Sequence, residues 1–489
     1  MARIAPLIDL RPIAFVIGVL LCVLAAAMLV PCLLDLAMGS EDWTVFALSA
    51  AVTLFVGAAL AISSRGPGFT LKIREAFILT TLTWVVLAAF AALPFRFSAL
   101  ELSYADAFFE SMSGITTTGS TVIVGLDGLP PGLLIWRAIL QWLGGIGIIV
   151  MALSILPMLR VGGMQLFRME NSDTSEKVLP RAAEIASSIG GVYTLFTLIC
   201  MIAYAAMGMT PFDAAAHAMT TIATGGFSTK DLSLGHWGSA QIETVAIIFM
   251  ILGSLPFVLY LKALRGRPWD LFRDSQVRWF VSIVIVIVAA MTAYLVNERA
   301  ELDLGTAIRL ASFNVVSIIT GTGYATSDFA LWGAFAVPAF LFIMFIGGCA
   351  GSTTCGIKIF RFQVLYATAD AQMKKLLHPH GVHVPYYQGK PIPESVSDSV
   401  MSFFFAFVVC FVLVALGLGL LGLDLTTAVS GAATAIANVG PGLGDVIGPA
   451  GSFAPLPEAA KWLLSFAMLL GRLELFTVLV LLIPAFWRD

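Results

Sequence analysis

Ten apolar runs, each long enough to cross a bilayer as a helix, divide this sequence. They lie near 12–37, 43–63, 73–95, 133–159, 186–208, 240–264, 277–296, 330–359, 397–422 and 459–487. A spanning helix needs about 20 apolar residues, because it rises about 1.5 Å per residue through a hydrocarbon layer about 30 Å thick. A soluble domain has no means of burying ten such runs. The composition agrees: 59% of residues are hydrophobic and only 12% are charged, against about 25% charged in soluble domains. The expected fold is an all-α integral membrane protein with ten transmembrane helices. The first run follows Arg3 and Arg11 and extends from Pro12 to about Leu34. It is too long for the core of a signal peptide and reads as a membrane helix.

An even number of spans puts both termini on one side of the membrane. With both termini cytoplasmic, 20 of the 27 Lys and Arg fall at cytoplasmic ends, including Arg65, Arg74, Arg265, Arg267, Arg273, Lys374 and Lys375. Six fall outside (Arg96, Arg137, Lys230, Arg299, Arg309 and Lys461), and Arg472 lies within a span. The positive-inside rule selects this orientation. The net charge of −3 excludes a basic nucleic-acid binder. Six cysteines, all in or beside apolar runs, read as buried thiols rather than a disulfide or zinc framework.

Four outer segments, near 104–118, 211–225, 304–322 and 424–439, are too short and polar to span, yet too rich in Ala and Ile for ordinary loops. Re-entrant segments have this character, and they survive at membrane depth only against protein or water. The four align without gaps when anchored at Gly119, Gly226, Gly323 and Gly440. Twelve residues earlier stand Ala107, Ala214, Ala311 and Ala428; six earlier, the hydroxyls of Ser113, Thr220, Ser317 and Thr434; four earlier, Ile115, Ile222, Ile319 and Ile436. Anchoring on Gly225 would destroy the Ile and Gly columns. The chain therefore divides into an N-terminal helix pair (1–70) and four helix–pore helix–helix repeats at 71–182, 183–272, 273–396 and 397–489.

The strings at the anchors are Thr117-Thr118-Gly119, Thr224-Gly225-Gly226, Gly321-Thr322-Gly323 and Asn438-Val439-Gly440. A dehydrated cation needs oxygens in place of its water shell, and backbone carbonyls supply them while binding weakly enough for exit. Turning successive carbonyls toward one axis demands unusual backbone angles, which glycine adopts at little steric cost. The partial negative charge at the C-terminal ends of the pore helices adds to the attraction.

These strings carry a family resemblance. ITTTGST (115–121), TIATGGFST (221–229), SIITGTGYAT (317–326), ANVGPG (437–442), GGCAGSTTCGIKIFR (347–361) and GRLE (471–474) occur in order across nearly the whole chain. The chain resembles the Trk/Ktr/HKT superfamily of potassium transporters, and the leading helix pair favours the bacterial TrkH/TrkG type. The resemblance implies K+ as the transported ion, the twelve residues just quoted at the anchors as its ligands, and a multi-pass protein of the bacterial inner membrane. It also implies a homodimer and a cytoplasmic TrkA-type NAD- or ATP-binding regulatory subunit docked on 160–185, 265–278 and 362–396. No bound organic cofactor is expected in this chain. The filter departs from a symmetric potassium channel, which has four threonines two residues before the anchors. Here stand Thr117, Thr224, Gly321 and Asn438, so the innermost ion site is expected to be weak or absent. Serine at the first anchor accompanies sodium transport in plant relatives, and Gly119 argues against that.

The eighth run is interrupted by Gly347, Gly348, Cys349, Ala350, Gly351, Ser352, Thr353, Thr354, Cys355 and Gly356. Four glycines and three hydroxyls in ten residues disfavour a helix. In the resembled family this stretch forms a movable loop that occludes the cavity; tight small-residue packing is the alternative. Arg472 stands near mid-membrane, where a charge is costly and a functional role is the default reading. The family places such an arginine in the ion path below the filter, whereas a buried pair with Glu110 or another acid is the competing reading. Asp106 and Asp213 suit N-capping of the first two pore helices and complement the helix dipole there. His217 reads as a packing or hydrogen-bonding group rather than a proton relay. His378, His380 and His383 read as a polar partner-contacting loop rather than a metal site. A potassium uptake pathway is the leading function, and a proton- or sodium-coupled K+ symporter on the same frame is the alternative. An enzyme is disfavoured, because the sequence shows no nucleotide loop, no H-E-x-x-H and no nucleophile–base set.

Overall fold

A computed structural model describes residues 8–66, 72–154, 159, 162–164, 178–299 and 301–488. Arg3, Arg160, Arg168 and Lys177 lie outside them, as does much of the 160–185 docking segment. Among the described residues, seven helices are long and apolar enough to cross a membrane: Arg11–Met38, Trp43–Ser63, Ile73–Phe97, Pro131–Ala152, Ser187–Ala206, Ser275–Glu298 and Glu394–Leu420. Two helix pairs, Ala240–Gly253 with Phe257–Leu264 and Glu458–Arg472 with Phe476–Leu482, would each make one more, but they bend by 92° and 110°. At the first bend Pro256 supplies no amide hydrogen. At the second, Glu474 and Leu475 take left-handed backbone angles (φ 60° and 48°).

Against the expected ten, the described residues give seven continuous helices, or nine if each bent pair is one span. The remaining run, 330–359, gives only the nine-residue helix Ala336–Met344, a non-helical stretch to Lys358, and then the polar helix Ile359–Leu377. Its glycines and hydroxyls explain the break. The ends of the break are joined by a parallel bridge between Ile346 and Ile357. The other strand pairing among the described residues is a small antiparallel hairpin, Tyr386–Tyr387 with Lys390–Pro391.

The long helices turn apolar faces outward. Phe55, Ile62, Ile285, Val286, Phe405 and Leu413 are between 61% and 76% exposed. This inverts the pattern of a soluble protein and fits a lipid solvent. The chain is a multi-pass membrane protein.

Four short helices fill the interior: Tyr104–Ile115, Pro211–Ile222, Leu304–Ile319 and Leu425–Ala437. Each begins with a side-chain cap, from Ser103, Thr210, Asp303 and Asp424 respectively. Such caps satisfy amide hydrogens that the first helical turn leaves unpaired. Each short helix packs between the helices before and after it, and also against the outgoing helix of the preceding unit. Tyr104–Ile115 meets the last unit's Glu458–Arg472 in this way, so the arrangement closes into a ring of four.

Candidate functional site

The four short helices end alike. The amide one residue before each anchor donates back to a helix carbonyl: Thr118 to Ser113 (2.9 Å), Gly225 to Thr220 (2.9 Å), Thr322 to Ser317 (2.9 Å) and Val439 to Thr434 (3.0 Å). The residue before that is left-handed in every unit, with φ of 52° at Thr117, 49° at Thr224, 70° at Gly321 and 52° at Asn438. For β-branched Thr117 and Thr224 this is a strained conformation costing about 1–3 kcal/mol each, held only by its surroundings. The anchors Gly119, Gly226, Gly323 and Gly440 are left-handed too (φ 90°, 77°, 80° and 115°), whereas Gly225 is not.

The anchors face one another in a closed cycle. A Cβ added at Gly119 would overlap the carbonyl oxygen of Gly225, one at Gly226 that of Thr322, and one at Gly323 that of Val439. One at Gly440 would stand 2.9 Å from the carbonyl oxygen of Thr118. Each unit thus abuts the next, and the fourth abuts the first. Among the described residues, no hydrogen bond reaches the carbonyls of Thr118, Thr322 or Val439. Unpaired buried carbonyls are costly, so this cluster of oxygens suits a cation. Two other carbonyls are bonded: Gly225 accepts from Gln141 Nε2 (2.6 Å) and Gly440 from Ser120 Oγ (2.6 Å).

A further column, nine residues before the anchors, braces the strands that leave them. Glu110 accepts from the Val122 amide (2.9 Å) and the Thr121 hydroxyl (3.0 Å). His217 pairs through Nε2 with Ser228 Oγ (2.9 Å), and Asn314 bonds the Thr326 hydroxyl (3.0 Å). In the fourth unit, where Gly431 has no side chain, Ser430 takes the Leu443 amide (2.9 Å). The other ring nitrogen of His217 lies 2.8 Å from the Asp213 carbonyl, which can only accept. His217 is therefore a satisfied hydrogen-bonding group. Glu110 also pairs with buried Arg137 at 2.8 Å. Removing one partner of a buried pair costs about 3–5 kcal/mol. Arg137→Ala is expected to lower stability by about that amount, read as a lower thermal midpoint in detergent. An unchanged midpoint would show that the pair holds nothing together.

Beneath the anchors lies the stretch 345–358. Cys349 N donates to Ser254 O (3.0 Å), Thr353 N to Gly253 O (3.2 Å) and Ala350 N to Gln276 Oε1 (2.9 Å). Ser352 Oγ reaches Cys349 O (2.6 Å), and Gly348 N reaches Thr354 Oγ1 (3.2 Å). A Cβ on Gly347 would overlap the Cys355 carbonyl, so the two arms of the loop lie against each other. The loop touches three of the four units: Thr353 Oγ1 lies 3.2 Å from Thr224 Oγ1, Cys355 Sγ lies 3.8 Å from Thr117 Oγ1, and Cys355 borders Gly321. Gly351 and Gly356 are left-handed (φ 76° and 69°). Cys349 and Cys355 are free thiols.

Arg472 is buried beside this loop. It donates to Thr353 O (3.2 Å), Cys355 Sγ (2.5 Å) and Gly144 O (3.0 Å). No carboxylate lies within ion-pair distance of it among the described residues. Glu110 belongs to Arg137 and Glu474 to Arg361, so the expected alternative of a buried acid partner does not hold.

One other expectation is corrected. Asp106 and Asp213 are not the caps; they stand at the third helical position and receive the hydroxyls of Ser103 (3.0 Å) and Thr210 (2.8 Å). Asp106 also pairs with Lys461 at 2.5 Å. The hydroxyl column has no shared role. Thr220 meets the Tyr324 hydroxyl (2.5 Å), Ser317 the Tyr324 carbonyl (2.7 Å) and Thr434 the Gly440 amide (2.9 Å), while Ser113 Oγ has no partner among the described residues. Sequence reasoning missed Gln141, Lys358 and the Arg361–Glu474 pair. Lys358 is buried and donates to Thr354 O. The available signal was four charged residues, Lys358, Arg361, Arg472 and Glu474, inside the two family strings GGCAGSTTCGIKIFR and GRLE, which meet in space through Arg361 and Glu474.

A family model described as TrkH, cation transport protein, matches residues 43–488. The Trk system potassium uptake protein TrkI of Halomonas elongata is 48% identical over 479 residues, covering 98% of this chain and 97% of that protein. The Trk system potassium uptake protein TrkH of Vibrio parahaemolyticus is 40% identical over 485 residues, covering 98% and 99%. The crystal structure of the potassium transporter TrkH from Vibrio parahaemolyticus matches with a TM-score of 0.92 at 38% identity, over 98% of this chain and 100% of that one.

Proposed function

Because this chain belongs to the TrkH family of cation transport proteins, we propose that it takes up potassium across the bacterial inner membrane through a gated, channel-like pore. It is a transporter rather than an enzyme. The selectivity filter is the ring of backbone carbonyls at Thr117–Gly119, Thr224–Gly226, Gly321–Gly323 and Asn438–Gly440. The observation that carries this reading is the closed cycle of anchors, each against the preceding carbonyl of the next unit, with three of those carbonyls unbonded by the described residues. The membrane potential drives K+ inward at about 2.3 kcal/mol per charge per 100 mV, so no coupled chemistry is needed.

The stretch Gly347–Gly356 with Arg472 is the gate. It is supported by the contacts of Thr353 and Cys355 with the inner ends of three filter strands. Ten spans, both termini cytoplasmic, the N-terminal pair 1–70 and the four repeats 71–182, 183–272, 273–396 and 397–489 complete the arrangement. A homodimer regulated by a cytoplasmic TrkA-type nucleotide-binding subunit fits a chain whose described residues form no nucleotide-binding domain. A cavity of about 720 Å³ lined by Trp279, Tyr366, Lys374 and Tyr386 gives that subunit a surface between 265–278 and 362–396.

Rubidium uptake into proteoliposomes under an imposed potential tests the function. Uptake is expected to follow the potential, to be competed by K+, and to resist Na+ and Li+. Uptake that instead requires a proton or sodium gradient would favour the symporter.

A further inference from the structure

We propose that Gln141 is a positioning residue for ion selection, standing in space for the side chain that Gly225 lacks and splinting the second filter strand. The proposal rests on the filter reading above. One residue before the anchors, three units carry a side chain (Thr118, Thr322, Val439) and one carries glycine, Gly225. The backbone of Gly225 is not left-handed, so conformation does not require glycine there. Space does: a Cβ at Gly225 would fall 2.5 Å from Gln141 Oε1 and 2.8 Å from Nε2.

Gln141 is fully buried on the helix Pro131–Ser154 of the first unit. Its Nε2 donates to the Gly225 carbonyl (2.6 Å), and its Oε1 accepts from the Phe227 amide (3.0 Å). A carbonyl only accepts and an amide hydrogen is only donated, so these partners fix which way the side chain points. The two prongs bracket Gly226. One turn earlier on the same helix, Arg137 donates to Ser228 O (2.7 Å) and lies over the Phe227 ring at 4.1 Å. The first unit's helix thus holds the second unit's strand from Gly225 to Ser228.

That strand has two consecutive glycines, the most pliable pair in the ring. Its Gly225 carbonyl shares its electrons with an amide, whereas the equivalent carbonyls of Thr118, Thr322 and Val439 accept no hydrogen bond from the described residues. Selectivity of a carbonyl ring depends on the number, field strength and mobility of its dipoles. Without Gln141, the strand is free to close around a smaller ion, and two buried polar groups lose their partner.

The test is Rb+ uptake with Na+ competition in proteoliposomes. Gln141→Ala is expected to lower discrimination against Na+ about tenfold. Gly225→Thr alone is expected to lower Rb+ uptake at least about tenfold, because its Cβ lands on the Gln141 amide. The double variant Q141A/G225T is expected to regain most of that uptake, since it vacates the space and recreates the residue of the first and third units. Gln141→Glu keeps the volume and the acceptor for Phe227 but loses the donor to Gly225, so it too is expected to lose discrimination, and it decides the matter if Gln141→Ala does not fold. Wild-type discrimination in either Gln141 variant, or a double variant no better than Gly225→Thr, would overturn the proposal. Gly323→Ser is the control. If it also keeps wild-type discrimination, the filter reading has failed, not the role of Gln141 alone.

Discussion

Gly323→Ser is expected to reduce the preference for Rb+ over Na+ about tenfold to a hundredfold. The glycine has a left-handed backbone (φ 80°), which costs a residue with a side chain about 1–3 kcal/mol. A new Cβ would also overlap the Val439 carbonyl oxygen and stand 2.8 Å from Pro441 Cδ. Both obstacles are backbone or ring atoms, so no flexible side chain can yield. Relief requires moving the Val439 carbonyl, one of the three ring oxygens that accept no hydrogen bond from the described residues. A displacement worth about 1.4 kcal/mol is a factor of ten in relative affinity, and one of about 2.8 kcal/mol a factor of a hundred. Uptake of Rb+ and Na+ by the purified variant gives the ratio directly. A folded variant with the wild-type ratio would remove Gly323 from the ion path.

Shortening the loop 349–355 is expected to raise Rb+ flux about tenfold or more. The loop is held by hydrogen bonds to Ser254, Gly253 and Gln276 on neighbouring helices, and it lies against Thr117, Thr224 and Gly321. Removing it clears the space directly under three of the four anchor strands. Arg472→Leu is expected to act in the same direction and less strongly. It deletes the donors to Thr353, Cys355 and Gly144, together with a positive charge whose repulsion of a passing cation is little screened in so dry a setting. A tenfold gain corresponds to about 1.4 kcal/mol off the barrier. Flux at the wild-type level in both variants would mean that the segment is packing rather than a gate.

Much of this was legible in the sequence, because it is local. The four short helices follow from Ala, Ile and hydroxyl columns that recur at fixed distances from a glycine. The left-handed anchors follow from glycine itself. The break after Met344 follows from ten residues poor in helix formers. The choice of Gly226 over Gly225 as the second anchor also came from column matching alone.

Other features were misjudged or unseen for one physical reason. Asp106 and Asp213 look like caps by residue type, but Ser103 and Thr210, three residues earlier, hold the cap positions and accept from the amides of the two aspartates. Arg472 offered several acids as partners, and which acid is already engaged depends on helices far apart in the chain. The bend at Glu474 was invisible, since nothing in the local residues announces left-handed angles there.

By itself, then, the order of residues determined the apolar spans, the fourfold repeat and the residues whose backbone must turn at each anchor, since these depend on neighbours within a helical turn or two. Only the tertiary structure decided which side chain meets which strand. Gln141 lies 84 positions from Gly225, Ser120 lies 320 from Gly440, and Arg472 lies 328 from Gly144. A side chain's propensity carries no information about a partner that distant, and closing the ring brings them together.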